Sequence, residues 1–338
     1  ELLRTLDFDF FELLDSVTIA RSRKHIEKYY NTSDIGKFPE RLPPISLRPC
    51  LTDLNDAINY NDIYNLLMSL SLTIYTPSNY IMPSKLEKYI DPENHKRNMT
   101  QQGREEGIRR LMSINLLKRL ESSVAPSRLT IDRIKKLIND TIRTVKNYQS
   151  GDCVLNLTEI SGAEDFDYDD QNTDFFSAGK KVKIDLADMD YVSWMRELEK
   201  DAENLELLSL MIADITPEHD TKLQTLFDLI RKKIEHPINP GNKKIIIFTA
   251  FSDTADYLFV NVSKFAKEKF GLETAEITGT VDGKTTIPKL RADLNTVLTC
   301  FSPVSKGKSV LLPGSKDELD ILIATDCISE GQNLQDCD

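Results

Sequence analysis

The chain has 338 residues, with 54 Asp and Glu against 43 Lys and Arg for a formal net charge of −11, and 40% of it is hydrophobic. That balance excludes global disorder, a collagen-like repeat and a disulfide scaffold, and no apolar run approaches the ~18 residues of a membrane helix. At roughly 150 residues per domain the length predicts about two domains.

The first 45 residues open on an apolar, aromatic stretch followed by "VTIARSRKHIEKYY" and by "KFPERLPP", whose prolines stop any helix and set an extended exit. Residues 46–150 read as mostly helical. Ile58, Ile63, Leu66, Leu67, Leu70 and Ile74 keep helical spacing over 55–75, and Ile108, Leu111, Met112, Ile114, Leu117 and Leu120 keep it over 104–123. A further helix is predicted from Thr130 to Lys146. Residues 104–146 are basic, with eleven Lys and Arg against five Asp and Glu. They interleave with Glu105, Glu106, Glu121, Asp132 and Asp140, so a solvated helical face is favoured over a phosphate-binding surface. Tyr75, Tyr80, Tyr89 and Trp194 are read as packing anchors rather than base-stacking platforms.

Residues 151–205 read as an acidic insert or linker. Positions 152–206 hold sixteen Asp and Glu and five Lys and Arg, which equals the net charge of the whole chain. "SGAEDFDYDDQNTD" has no period, and it lacks the central Gly and terminal Glu of a twelve-residue calcium loop. A solvated insert is favoured over a mimic of DNA. Residues 206–338 change pattern. Asp220 can cap a helix through "TKLQTLFDLIRKKI". After "HPINPGN" come the strand "KKIIIFT", a helix at 253–270, the strand "TAEIT", a helix at 286–300 and the strand "LDILIAT". Continuous apolar strands alternating with helices predict an α/β fold with a parallel sheet covered on both faces. Ligands of such sheets bind beyond the carboxyl ends of the strands, here Thr249–Phe251, Gly279–Thr280 and Thr325–Asp326.

Cys50, Cys153, Cys300, Cys327 and Cys337 are widely spaced with no C-x-x-C, which points to reduced thiols in a cytoplasmic protein. His25, His95, His219 and His236 stand at no metal-ligand spacing, so no metal site is expected. The chain begins at Glu1 and stops at Asp338 soon after an apolar strand, and it is read as a piece of a longer protein.

No complete G-x-x-x-x-G-K-[ST] occurs. Gly279 to Thr285 is one residue short between its glycines, and Gly307-Lys308-Ser309 has Ser302 where the first Gly belongs. "DELD" at 317–320 looks like a magnesium-binding acidic box, but it enters an apolar strand rather than leaving one. No G-x-G, G-x-S-x-G or H-E-x-x-H is present. What stands out is "ILIATDCISEGQNLQDCD" at 321–338, a buried strand ending in small polar groups, with Gly331 placed to let a backbone approach closely.

"ATDCISEGQNLQ" resembles motif V of superfamily 2 helicases and translocases, and "KKIIIFTAFSDTADYL" at 243–258 resembles motif IV with its following helix. "ITG" at 277–279 and "DTKLQTLFDLI" at 220–230 fit the same order. "IARSRKHIEKYY" and "KFPERLPP" are similar to the end of the first lobe in Swi/Snf-type ATPases. "INLLKRLESS" at 114–123 is similar to a helix of the bacterial branch that includes the RNA-polymerase recycling ATPase. The resemblance implies an incomplete second RecA-like lobe, preceded by a helical region, in an ATP- and Mg-dependent motor on double-stranded DNA. It places Thr249, Ser252, Asp253, Gly279 and Thr325 on the nucleic-acid side, Asp326 in coupling between lobes, and Gly331 and Asn333 near the nucleotide. Glu330 departs from the Arg that many members carry. The phosphate-loop Lys, acidic box and arginine fingers of the family have no counterpart here, so the chain alone is expected not to hydrolyse ATP. Two other readings stay open: another α/β nucleotide-dependent enzyme such as a glycosyltransferase, and a noncatalytic helical protein-interaction module.

Overall fold

A computed structural model describes residue 28 and residues 42–54, 59–89, 101–148, 154–156, 183–279, 283–328 and 332–338. The chain divides between Arg48 and Pro49 into two units. Of the first unit the described residues include Leu42, Ile45 and Leu47, all exposed. The remainder of the segment resembling the end of a first lobe, and the acidic loop at 157–182, lie outside the described residues.

The second unit begins with a helical region. Helix α1 (Tyr60–Met68) starts where the Asn59 side chain accepts the Asp62 N–H. The apolar spacing predicts helix as far as residue 75, but α1 stops at Met68. The reason lies far away in sequence. The buried Asp201 carboxylate accepts the Ser71 N–H at 2.7 Å and the amides of Leu72 and Thr73 as well. Leu72 adopts φ +50, and two short 3₁₀ turns follow, Thr73–Tyr75 and Pro77–Tyr80. Leu70, Leu72 and Ile74 are buried all the same, because a turn can also send them inward.

Helices α2 (Gln101–Ser122) and α3 (Val124–Lys146) form a hairpin broken only at Ser123, whose backbone is extended. The second helix starts at Val124 rather than at Thr130. Pro126 sits in its first turn, where a missing N–H costs no intrahelical bond. Two short antiparallel strands, β1 (Val154–Asn156) and β2 (Lys183–Asp185), precede α4 (Tyr191–Ala213). Asp190 caps α4 by accepting the Ser193 N–H at 3.1 Å. Trp194, Leu198, Leu205, Leu208 and Ile212 line its buried stripe and join Ile131, Ile134, Ile138 and Met112 in one core. The boundary expected at 205/206 therefore falls inside a continuous helix. Glu203 and Glu206 face solvent, so part of the acidic count of this segment belongs to the outer face of a core helix.

The α/β region follows. Asp220 caps α5 (Thr221–Glu235) through the Leu223 N–H, as the sequence predicts. Then come β3 (Ile245–Phe248), α6 (Ser252–Phe270), β4 (Thr274–Ile277), β5 (Lys284–Thr285), α7 (Leu294–Phe301), the four-residue α8 (Lys308–Leu311) and β6 (Ile321–Ala324). Helix α6 ends on Gly271 at φ +68, a left-handed position that glycine adopts without strain. The helix expected over 286–300 begins only at Leu294. Lys289 takes φ +66, and Asp293 supplies the cap by accepting the Thr296 N–H.

The strand order is β3-β6-β4-β5. Strands β3, β6 and β4 are parallel, and β5 is antiparallel to β4. The sheet is thus mixed, and both faces are covered. Ile321 and Ile323 pack with Leu223, Ile230, Ala255 and Val262 of α5 and α6, whereas Leu322 and Ala324 pack with Val297, Leu298 and Phe301 of α7. Central strand β6 is buried on both sides, which is why it reads as an unbroken apolar run. Among the described residues no helix is long and apolar enough to cross a membrane.

Candidate functional site at the strand exits

The register fixes where the exits lie. Phe248 of β3 and Ile277 of β4 both stand opposite Ala324 of β6, so the three parallel strands end together. The next residue of each is threonine: Thr249, Thr278 and Thr325. The ladder continues into them. Thr249 N donates to Ala324 O at 3.0 Å, and Thr325 N to Ile277 O at 3.2 Å. Gly279 is exposed beyond Thr278, and Asp326 is exposed at the start of a 3₁₀ turn, Asp326–Ile328. Six of the eight residues singled out from the sequence, Thr249, Ser252, Asp253, Gly279, Thr325 and Asp326, therefore belong to one edge of one sheet.

They are not equally accessible. Thr325 is 2% exposed, and its hydroxyl reaches Cys327 Sγ at 3.7 Å. Thr249 and Ser252 are half-buried. Asp253 is held by arginine: Arg119 Nη1 lies 2.8 Å from its Oδ2, and Arg133 Nη1 lies 3.8 Å away. The Arg119 guanidinium is buried and sits over the Phe251 ring at 4.8 Å. Ser122 Oγ lies 2.9 Å from Thr254 Oγ1 and 3.4 Å from Thr249 Oγ1. Lys222 Nζ donates to the carbonyls of Glu121 and Ser122, closing the last turn of α2. Burial pushes the Lys222 ammonium below its ordinary pKa. The carboxyl end of α2 is thus fastened against the β3 exit.

Asn333 lies in a different arrangement. Its Nδ2 donates to Ser305 O at 3.3 Å, and Gln332 accepts from Lys306 at 2.9 Å. The Asp336 carboxylate accepts the N–H groups of Val304 and Ser305 and the Ser305 hydroxyl. Residues 332–336 are in this way tied to the loop after α7. Gly331, with Ser329 and Glu330, lies outside the described residues.

The near-miss phosphate motifs have structural roles. Gly279 to Thr285 runs from beyond the end of β4 into β5, and Lys284 is in the strand. A Cβ on Gly283 would lie 2.4 Å from Ala292 O and 2.9 Å from Glu276 O, so close backbone packing requires glycine there. Lys308 Nζ donates to Asp317 O. In "DELD", Glu318 pairs with Lys244 at 2.7 Å, and Asp320 accepts the Glu273 N–H at 3.0 Å before the strand begins.

The aromatic residues are packing anchors, and the basic stretch, Arg119 apart, is a solvated face whose charges are largely paired. Trp194 is fully buried and its Nε1 donates to Thr73 O at 3.0 Å, Tyr75 is buried, and Tyr89 Oη donates to Asp188. Arg109, Arg110, Lys135, Arg143 and Lys146 pair with carboxylates of α2, α3 and α4. Arg119, Ser122 and Lys222 are the residues at the exits that sequence reading does not single out. Their partners lie 100 or more positions away, and no local spacing marks them. Among the described residues no group of three or more His, Cys, Asp or Glu is placed to hold a metal ion.

Hydroxyls, backbone amides and the amino end of α6 at a common sheet edge suit the oxygens of a phosphate. No family model, curated protein or solved structure matches the chain.

Proposed function

We propose that the α/β region is the second, RecA-like lobe of a superfamily 2 motor that uses ATP to move on nucleic acid, with double-stranded DNA as the track. One observation carries this reading. The segments resembling motifs IV and V leave β3 and β6, which are parallel neighbours, so both motifs open onto one sheet edge. Nucleic acid would approach over Thr249, Ser252 and Gly279. Asp253 would act indirectly, by fixing the amino end of α6 through Arg119. Thr325 would shape the exit from beneath rather than touch a ligand in this conformation.

The residues present do not fit a complete ATP and magnesium site. The two lysine-bearing turns that come nearest to a phosphate loop are committed elsewhere, Lys284 to carboxylates and Lys308 to a carbonyl. In this reading the phosphate loop and acidic box come from other sequence, and this chain by itself turns over no ATP. A duplex-stimulated phosphate release above the buffer blank would overturn that part.

The binding part is tested with a fluorescent duplex. Affinity should fall steeply between about 50 mM and about 200 mM salt, as phosphate contacts release counterions. Gly279→Glu, which places a negative charge at an exposed exit, should weaken binding at least ~10-fold at the lower salt. No binding at low salt, or a salt-independent affinity, would overturn the assignment and favour the helical interaction module.

A further inference from the structure

One ionisable cluster plays no part in the exits. Glu276 sits in β4 and is 2% exposed. Its neighbours Ala275 and Ile277 pack toward α7, so alternation turns Glu276 toward α6. There it meets Asp256, an exposed residue of α6. Lys284 of β5 is its register partner; the Lys284 Nζ bonds Asp256 and lies 3.2 Å from Glu276 Oε2. From the third side β6 presents Ile323, which carries no charge. Two carboxylates therefore meet one ammonium in a partly buried place.

We propose that Glu276 and Asp256 share one proton across the gap between β4 and α6, and that losing it loosens β5 from the sheet, so that the β4–β5 hairpin is a pH-responsive edge. With the proton in place the cluster is neutral: one carboxylate, one ammonium and one uncharged carboxyl. Without it a second negative charge is trapped beneath a strand of two residues. Two ladder pairs join that strand to β4, Ala275 with Thr285 and Glu276 with Lys284. Just beyond it Thr286 N donates to Thr274 O and Thr274 N to Thr286 Oγ1, both at 2.9 Å, and Thr286 Oγ1 donates to Glu273 Oε2 at 2.6 Å. Gly283 packs closely against the Glu276 and Ala292 carbonyls, and lifting β5 is the direct way to bring water to Glu276.

Burial, reinforced by the Asp256 carboxylate and opposed by Lys284, pushes the Glu276 carboxyl up to about 8. Asp256, against its own burial, is held below the usual carboxylate range by its bonds to Glu276 and Lys284. For Glu276 the sign is that of a raised acid. Its contribution to closure is fully present below the ordinary carboxyl range and is lost as the pH rises through about 8.

Amide exchange at 284–286, corrected for the intrinsic base-catalysed rate, reads the opening directly. The opened fraction should rise at least ~10-fold between about pH 6 and about pH 8 in the wild-type chain, and stay flat in Glu276→Gln. An equal rise in Glu276→Gln would overturn the proposal. Should that variant fail to fold, the side-chain ¹³C titration of Glu276 in the wild-type chain decides. A midpoint near 8 that falls in Asp256→Asn supports the shared proton; a midpoint in the ordinary carboxyl range overturns it.

Discussion

The helical region and the α/β region solve the same problem, covering apolar surface, by different means. In the sheet much of the information is local: β3 and β6 are short apolar runs, and α5 and α7 start at aspartates that accept the N–H three residues on. In the helical region it is distributed. Asp201 of α4 ends the helix that α1 would otherwise continue, and Trp194 of α4 bonds a carbonyl of the turn that replaces it. A helical core specified by distant polar contacts should fail as a whole when one of them goes, whereas a sheet specified by local signals should lose stability in small steps.

The largest effect is expected from Trp194→Ala. It empties the centre of the helical core and frees Thr73 O, and should cost about 3–5 kcal/mol in chemical denaturation followed by circular dichroism. A loss under about 1 kcal/mol would mean that the core does not depend on this anchor. Next comes Arg119→Ala, which removes the buried partner of Asp253. Because Asp253 keeps some access to water, the cost should be about 2–3 kcal/mol, below that of a fully buried broken pair. More tellingly, the two regions should then unfold in separate transitions, and a single transition as sharp as in the wild-type chain would show that the α2–β3 fastening does not join them. The smallest step is Asp220→Ala. It removes the α5 cap and the acceptor of the Tyr257 hydroxyl, and should lower stability by about 1–2 kcal/mol without splitting the transition.

This contrast also explains what can be read from the residues alone. The parallel strands β3, β4 and β6 with α6 between the first two, the Asp220 cap and the pairing of β3 with β6 are legible from apolar runs and a capping residue, whereas the short antiparallel β5 and the four-residue α8 carry no such signal. The end of α1 is not legible either, because helical spacing and a buried turn place Leu70, Leu72 and Ile74 equally well. The identity of 191–213 is obscured for another reason: net charge counts the solvent face of α4 and ignores its apolar stripe. At the exits, Thr249, Asp253 and Thr325 are findable from their position after strands. Arg119 is not, since a buried arginine and a solvated one look alike in a basic helix until the partner 134 residues away is known.

The central place of β6 has a consequence for how the molecule assembles. Strands β3 and β4 emerge from the ribosome first, yet neither has a parallel neighbour until residues 321–324 arrive between them. The helical hairpin and α4 have no such wait, because their contacts close earlier in synthesis. The fold is therefore expected to grow from its helical half, and sheet formation becomes the late, slow event, governed by the closure of long loops.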